Sequence, residues 1–177
     1  PGGIDGTDYG MGQALGEWPS LSKVTLLPFC PEDHALGTPR TMPDIHGGDG
    51  FDVLDGRARV LDEKGADLSE AMIRGGEAMV AEARRREVDF AILTDMSGAC
   101  GTQIISDGCR LVEARRYRRG VGVAAALLLR AGVPVISQRD YRTLALLRRR
   151  LDPSFVVDPD LLDHHRTPWV LENLGGG

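Results

Sequence analysis

Long apolar runs are missing from this sequence: none approaches the roughly 18 residues of a membrane-spanning helix. No secretory leader is visible either. An excess of positive charge is also lacking. The 21 lysines and arginines are outnumbered by 26 aspartates and glutamates, for a net charge of −5, whereas a nucleic-acid footprint needs a basic face. Cysteine is scarce and odd in number, at three. That count, with no framework spacing, argues against a disulfide scaffold and fits reduced thiols or metal ligands better. These absences point to a cytoplasmic protein with neither membrane nor nucleic acid as a partner. Internal repeats and low-complexity tracts are absent too. So are the Cys-x-x-Cys and His-x-x-x-His spacings of common zinc sites, and the Gly-x-Ser-x-Gly frame of a serine nucleophile elbow.

What is present suits one globular domain. At 177 residues and 42% hydrophobic composition the chain can bury a core without staples. Residues 1–16 are glycine-rich and read as a loop leading into a short helix that ends at Pro19. Residues 23–29 form an apolar strand candidate, restricted at Pro28 to an edge or an end. Residues 30–50, with three prolines and four glycines, read as a long structured binding loop. Residues 51–61 read as a turn and a short strand. Asp67 and Glu70 resemble a capping box that starts a helix running to about Arg86, with Leu68, Met72, Met79 and Ala83 on its apolar face. Gly75 and Gly76 weaken that helix, and a close approach to the sheet is the expected reason.

A strand over 88–93, a short strand over 103–105, a polar excursion over 109–119, a buried helix over 123–130, a strand over 133–136 and a helix capped by Ser137 follow. Strand and helix in alternation predict crossover units and a mainly parallel sheet. The fold class expected is therefore α/β, three-layer and Rossmann-like, with long active-site loops. Residues 1–138 form the α/β domain, and residues 139–177 a helical tail packed on it, with Trp169, Val170 and Leu174 docking.

Two stretches carry chemistry. After the strand over 88–93 comes Thr94-Asp95-Met96-Ser97-Gly98-Ala99-Cys100-Gly101, which sets a serine and a cysteine in a glycine-flanked loop. In open α/β sheets such strand ends are where ligands bind. Upstream, Cys30-Pro31-Glu32 repeats the pattern: an apolar run, a cysteine, a carboxylate. The two loops are expected to face each other across one site, with Glu32 and Ser97 placed for proton transfer. Free cysteines are also frequent core residues, so each pattern has a structural alternative. Cys109 reads as a bystander. His34 and His46 stand among aspartates in the long loop without zinc-site spacing. Gly120-Val121-Gly122 suits either an anion on backbone N–H groups or a tight turn. The arginines of 84–86 and 148–150 read as helix ends.

In order along the chain stand Cys30-Pro31-Glu32, Gly37-Thr38-Pro39-Arg40, Gly47-Gly48-Asp49-Gly50, Val53-Leu54-Asp55-Gly56-Arg57-Ala58-Arg59-Val60, Ser97-x-x-Cys100-Gly101 and Gly122-Val123-Ala124-Ala125. Together they resemble the thiouracil desulfurase family, small bacterial proteins long carried as a domain of unknown function. The similarity spans roughly residues 4–137. It implies an α/β fold holding a [4Fe-4S] cluster on three cysteines, with one iron left open to a thiocarbonyl sulfur. It also implies a non-redox reaction in which a thiolated nucleobase loses sulfur and gains a water oxygen. By position, Cys30 and Cys100 would be cluster ligands, and Glu32 and Ser97 the proton-transfer residues.

The family's third ligand belongs to a Cys-Leu-x-Gly motif just before the segment matched here by Ile4-Asp5-Gly6. It is expected either upstream of Pro1 or replaced by Cys109. Ser97-Gly98-Ala99-Cys100 stands where the family has Ser-Pro-Ser-Cys, and Gly120-Val121-Gly122 where it has Gly-Asp-Gly; these departures leave the substrate open. A carrier of a cluster or small molecule would use the same loops without turnover. A zinc-dependent hydrolase would instead use His34, His46 and the aspartates beside them.

Overall fold

The computed structural model describes residues 11–16 and 18–175, so the loop read over residues 1–10 lies outside it. In chain order the elements are α1 (Met11–Leu15), a 3-10 turn (Trp18–Ser20), α2 (Pro31–Leu36), β1 (Asp44–His46), α3 (Gly50–Leu54), β2 (Arg59–Leu61), α4 (Ser69–Arg85), β3 (Ala91–Leu93), β4 (Ile104–Ser106), β5 (Tyr117–Arg119), α5 (Val123–Arg130), β6 (Val135–Ser137), α6 (Tyr141–Leu151), a second 3-10 turn (His164–Arg166) and α7 (Pro168–Leu174).

The chain is α/β, but the described residues form three separate two-stranded ladders. β1 and β2 pair antiparallel, β3 and β6 parallel, β4 and β5 antiparallel. Of the expected mainly parallel sheet, one ladder is parallel. The reason lies in the connections. Residues 107–116 return β4 to β5 as a hairpin, which can only pair antiparallel. The strand Tyr117–Arg119 was hidden by its arginines inside what read as a polar excursion. Residues 23–29, the first strand candidate, enter none of these ladders, and Leu26 and Leu27 are exposed.

Helix α4 follows from its sequence. Met72, Gly75, Gly76, Met79 and Ala83 share a buried stripe at helical spacing, and Arg84 and Arg85 occupy the last turn, where the helix dipole favours cations. The glycines let α4 approach two helices rather than a sheet. A Cβ on Gly75 would stand 2.3 Å from the Pro31 carbonyl oxygen of α2, and one on Gly76 2.6 Å from Leu127 Cδ1 of α5. The helix starts at Ser69, whose N–H donates to Asp67 Oδ1, so Asp67 closes a turn before the helix instead of capping it. Helix α6 begins at Tyr141, and Ser137 ends β6.

The long irregular stretch contains structure that periodicity could not show. α2 and α3 are about one turn each, too short for an apolar stripe. Their ends make them. Cys30 Sγ accepts the Asp33 N–H at the start of α2, and Pro31 follows at the first helical position. Asp49 and Asp52 form a reciprocal capping box on α3, with aspartate where glutamate is usual.

Among the described residues two buried apolar clusters form the core. One gathers Ile45, Val60, Met72, Ile105 and Val123, the other Met79, Leu93, Ala124, Leu128 and Val133. Cys100 packs against both. In the tail, Val170 is buried, the Trp169 ring meets Tyr117 edge-on at 5.5 Å between centroids, and Asp163 accepts from the Thr143 N–H and hydroxyl, each at 2.8 Å. Among the described residues no helix is long and apolar enough to cross a membrane.

Candidate active site

The end of segment 23–29 and the end of β3 open onto the same cavity, of about 1390 Å³. Cys30, Glu32, Met42, Ser97, Cys100 and Arg110 line it. The two loops that the sequence singled out are thus brought together. Their direct link is a hydrogen bond from Ser97 Oγ to Glu32 Oε1, at 3.1 Å.

Each side chain is held by its own loop. Glu32 lies in the first turn of α2 and is buried. Its Oε2 accepts from Arg40 Nε at 3.1 Å and Arg40 Nη2 at 3.0 Å. This ion pair is nearly buried, with side-chain exposures of 3% for Arg40 and 11% for Glu32. Arg40 is fixed in turn by the Gly37 carbonyl and the Thr38 hydroxyl. Its Nη2 also stands 3.9 Å from Cys30 Sγ. A guanidinium fork with several acceptors is pre-organised in a way an ammonium is not. With Oε2 committed to Arg40, Oε1 is the oxygen that faces Ser97.

Ser97 is the pivot of the second loop. Its Oγ accepts the N–H groups of Ala99 and Cys100, at 3.1 Å each. Gly98 and Gly101 permit the tight winding: a Cβ on Gly101 would stand 2.8 Å from the Ser97 carbonyl oxygen. Gly122 lets α5 start against the same loop, since a Cβ there would lie 2.4 Å from the Ala99 carbonyl. The N–H groups of Gly120 and Gly122 are taken by the Gln103 and Gly101 carbonyls. The Gly120 to Gly122 stretch therefore serves close packing, the turn reading of that motif.

Burial pushes the Cys100 thiol well above the usual thiol range, and the nearby Glu32 and Cys30 add to the shift. With nothing bound it stays a neutral thiol, and a metal would displace its proton. Cys30 and Cys100 together fit, in kind, a thiolate-bound iron or iron–sulfur group. Cys109 does not line the cavity. Among the described residues no group of three or more His, Cys, Asp or Glu side chains converges as a metal site. The zinc-hydrolase reading thus finds no cluster. His34 is exposed with its ring against Phe29 at 5.5 Å, and His46 lies on β1.

Sequence reading assigned no role to Arg40 or Arg110. Arg110 donates from its N–H to the buried Asp44 at 2.8 Å, pairs with it again through its side chain, and reaches the Met96 carbonyl at 3.0 Å. It thereby ties the loop after β3 to β1 at the cavity wall. Neither arginine belongs to a periodic pattern, so only their placement shows what they do.

Comparison with known proteins identifies the family. A profile of the 2-thiouracil desulfurase family matches residues 10–140. The chain belongs to this family. It is an enzyme of that kind, and Cys30, Glu32, Ser97 and Cys100 all fall within the matched region. The uncharacterised protein YbbK of Bacillus subtilis (strain 168) is 37% identical over 118 residues, which cover 65% of this chain and 75% of that protein. Among solved structures, the [4Fe-4S]-dependent thiouracil desulfidase TudS is similar, with a TM-score of 0.62 and 29% identity over 83% of this chain and 89% of that one.

Proposed function

We propose that this chain removes sulfur from a thiolated pyrimidine, 2-thiouracil or a close analogue, by hydrolysis with the help of a [4Fe-4S] cluster. The observation that carries the reading is the Ser97–Glu32 hydrogen bond across two loops 65 residues apart, in a cavity that both Cys30 and Cys100 line. The family match and the thiouracil desulfidase neighbour support the reaction class. In this reading Cys30 and Cys100 hold the cluster. When bound, it supplies a Lewis-acidic iron that polarises the thiocarbonyl group.

The residues of the chain do the rest. Glu32 lines the cavity, and its Oε1 takes a proton from the water that attacks the thiocarbonyl carbon. Arg40 keeps the other oxygen engaged and so fixes which one reacts. Ser97 holds Oε1 in register and, through the Ala99 and Cys100 N–H groups, sets it relative to Cys100. One C=S bond is exchanged for one C=O bond, and the hydrogens of the water leave as hydrogen sulfide. No electron donor or acceptor is consumed. In this reading the described residues from 139 onward form an extension packed on the same domain.

The test is anaerobic reconstitution with iron and sulfide, followed by absorption, metal and labile-sulfide analysis and a sulfide-release assay on 2-thiouracil. About four irons and four sulfides per chain are expected, as a complete cluster requires, together with turnover. Cys30→Ser and Cys100→Ser should each lose the chromophore, whereas Cys109→Ser should keep it. A colourless, iron-free protein would overturn the cluster. A coloured protein that releases no sulfide from any thiolated pyrimidine would make the chain a carrier.

A further inference from the structure

His164 lies beyond residues 10–140, the region shared with the family profile, yet it reaches into the base of the Ser97–Cys100 loop. Its Nδ1 stands 2.6 Å from Asp95 Oδ2, and the two side chains are 4% and 0% exposed. Asp95 is the clasp of that loop. Its Oδ1 accepts the N–H groups of Met96 at 3.1 Å, Thr102 at 2.9 Å, and Gln103 and Ile104 at 3.3 Å. Both ends of the loop are therefore gathered on one oxygen. The other oxygen accepts the Ser137 hydroxyl at 3.1 Å and His164.

The tail is tied in by more than its ring. The His164 N–H donates to Asp140 Oδ1 at 3.0 Å. Asp140 also accepts Gln103 Nε2, at 2.9 and 2.7 Å, and the Ser137 N–H at 3.2 Å. The Thr167 hydroxyl returns to the His164 carbonyl at 2.8 Å. An ionised carboxylate is an acceptor only, so the imidazole hydrogen sits on Nδ1 and donates. A buried carboxylate stripped of one donor must find another or distort.

We propose that His164 is a positioning residue of the active site. The C-terminal extension, acting through the His164–Asp95 contact, keeps the Ser97–Cys100 loop closed. From the proposed function this takes only the identity of Ser97 and Cys100 as site residues. Its test is accordingly made on metal-free full-length protein, where a failed desulfurase reading leaves the result intact.

Hydrogen–deuterium exchange of residues 96–104, and the rate of Cys100 alkylation in a Cys30→Ser, Cys109→Ser background, are compared for His164→Leu and His164→Asn. Leucine removes the donor, and asparagine places an N–H close to the position of Nδ1. With leucine, exchange at Thr102, Gln103 and Ile104 and labelling of Cys100 should accelerate roughly ten-fold or more, as expected for loss of one hydrogen bond to a charged group. Asparagine should restore both, and exchange in α5 should not change. Wild-type rates in His164→Leu would overturn the proposal, as would uniform acceleration that includes α5. Should His164→Leu not fold, Asp163→Ala cuts the neighbouring anchor to Thr143 and should loosen the same amides. Unchanged exchange in that variant would equally overturn the proposal.

Discussion

Glu32 is gripped from both sides, and this asymmetry gives the site its most direct tests. One oxygen belongs to Arg40 and the other to Ser97. Glu32→Gln keeps the size and removes the proposed base; under that proposal it should retain the cluster's chromophore and lose sulfide release by about 10²- to 10⁴-fold, the usual contribution of a positioned proton acceptor. Arg40→Ala strands a carboxylate that is nearly buried and should cost roughly 3–5 kcal/mol, read as a lower urea midpoint. Asp95 carries a pH signature. Burial alone would raise its pKa, but His164 and the loop amides outweigh that and hold it below the ordinary carboxylate value. Since the folded-state value is depressed, its stabilisation is complete above the unfolded pKa of about 3.9 and disappears as pH falls through the folded value. Asp95→Asn should therefore be less stable at neutral pH and lose less on acidification below about pH 4, a difference that denaturant titrations at several pH values would show. Of these residues, Cys30, Glu32, Ser97 and Cys100 stood out in the sequence because reactive types followed apolar runs in turn-forming contexts. Arg40, Asp95 and His164 did not, because their importance lies in partners 8, 9 and 69 positions away in the chain.

The elements divide by how locally they are determined. α4 and α5 were legible, since each carries enough turns for a 3.6-residue pattern to repeat, and α5 runs from Val123 to Arg130 as its alanine and leucine content predicted. α2, α3 and β1 were not: in pieces this short, caps and neighbours outweigh periodicity. The glycine packing offers an element-scale test. In Gly122→Ala the new methyl group would meet the Ala99 backbone at 2.4 Å and the Cys100 nitrogen at 2.7 Å. No flexible side chain is there to yield. The substitution should cost at least about 1–3 kcal/mol as an overpacked core, and it should displace the Cys100 loop as well as lower the unfolding temperature.

At the scale of the whole molecule, the site sits where elements distant in sequence meet. Cys100 touches both core clusters, Glu32 comes from α2 against α4, and the tail closes on Asp95. A group bound there in the folded state alone stabilises that state by mass action. Loading the proposed cluster should thus raise the unfolding temperature, and chelation of iron should reverse the gain, as calorimetry would record. The sheet followed a different logic from the one that alternating strands and helices suggested. Hairpin return at β4–β5 and pairing of β1 with β2 around α3 gave antiparallel ladders, leaving β3–β6 as the parallel pair.

The sequence by itself determined the α/β class, the two central helices, the strands that became β3 and β6, and the four residues that line or link the cavity. Those features depend on neighbours within a few positions: apolar spacing, turn residues and a recognisable order of short motifs. Only the tertiary structure decided that Arg40 orients Glu32, that the helices rather than the sheet fill the gaps at Gly75 and Gly76, and that His164 bears on the Cys100 loop. Buried polar groups must find hydrogen-bond partners wherever the fold brings them, and the identity of those partners is a property of packing that no local pattern encodes.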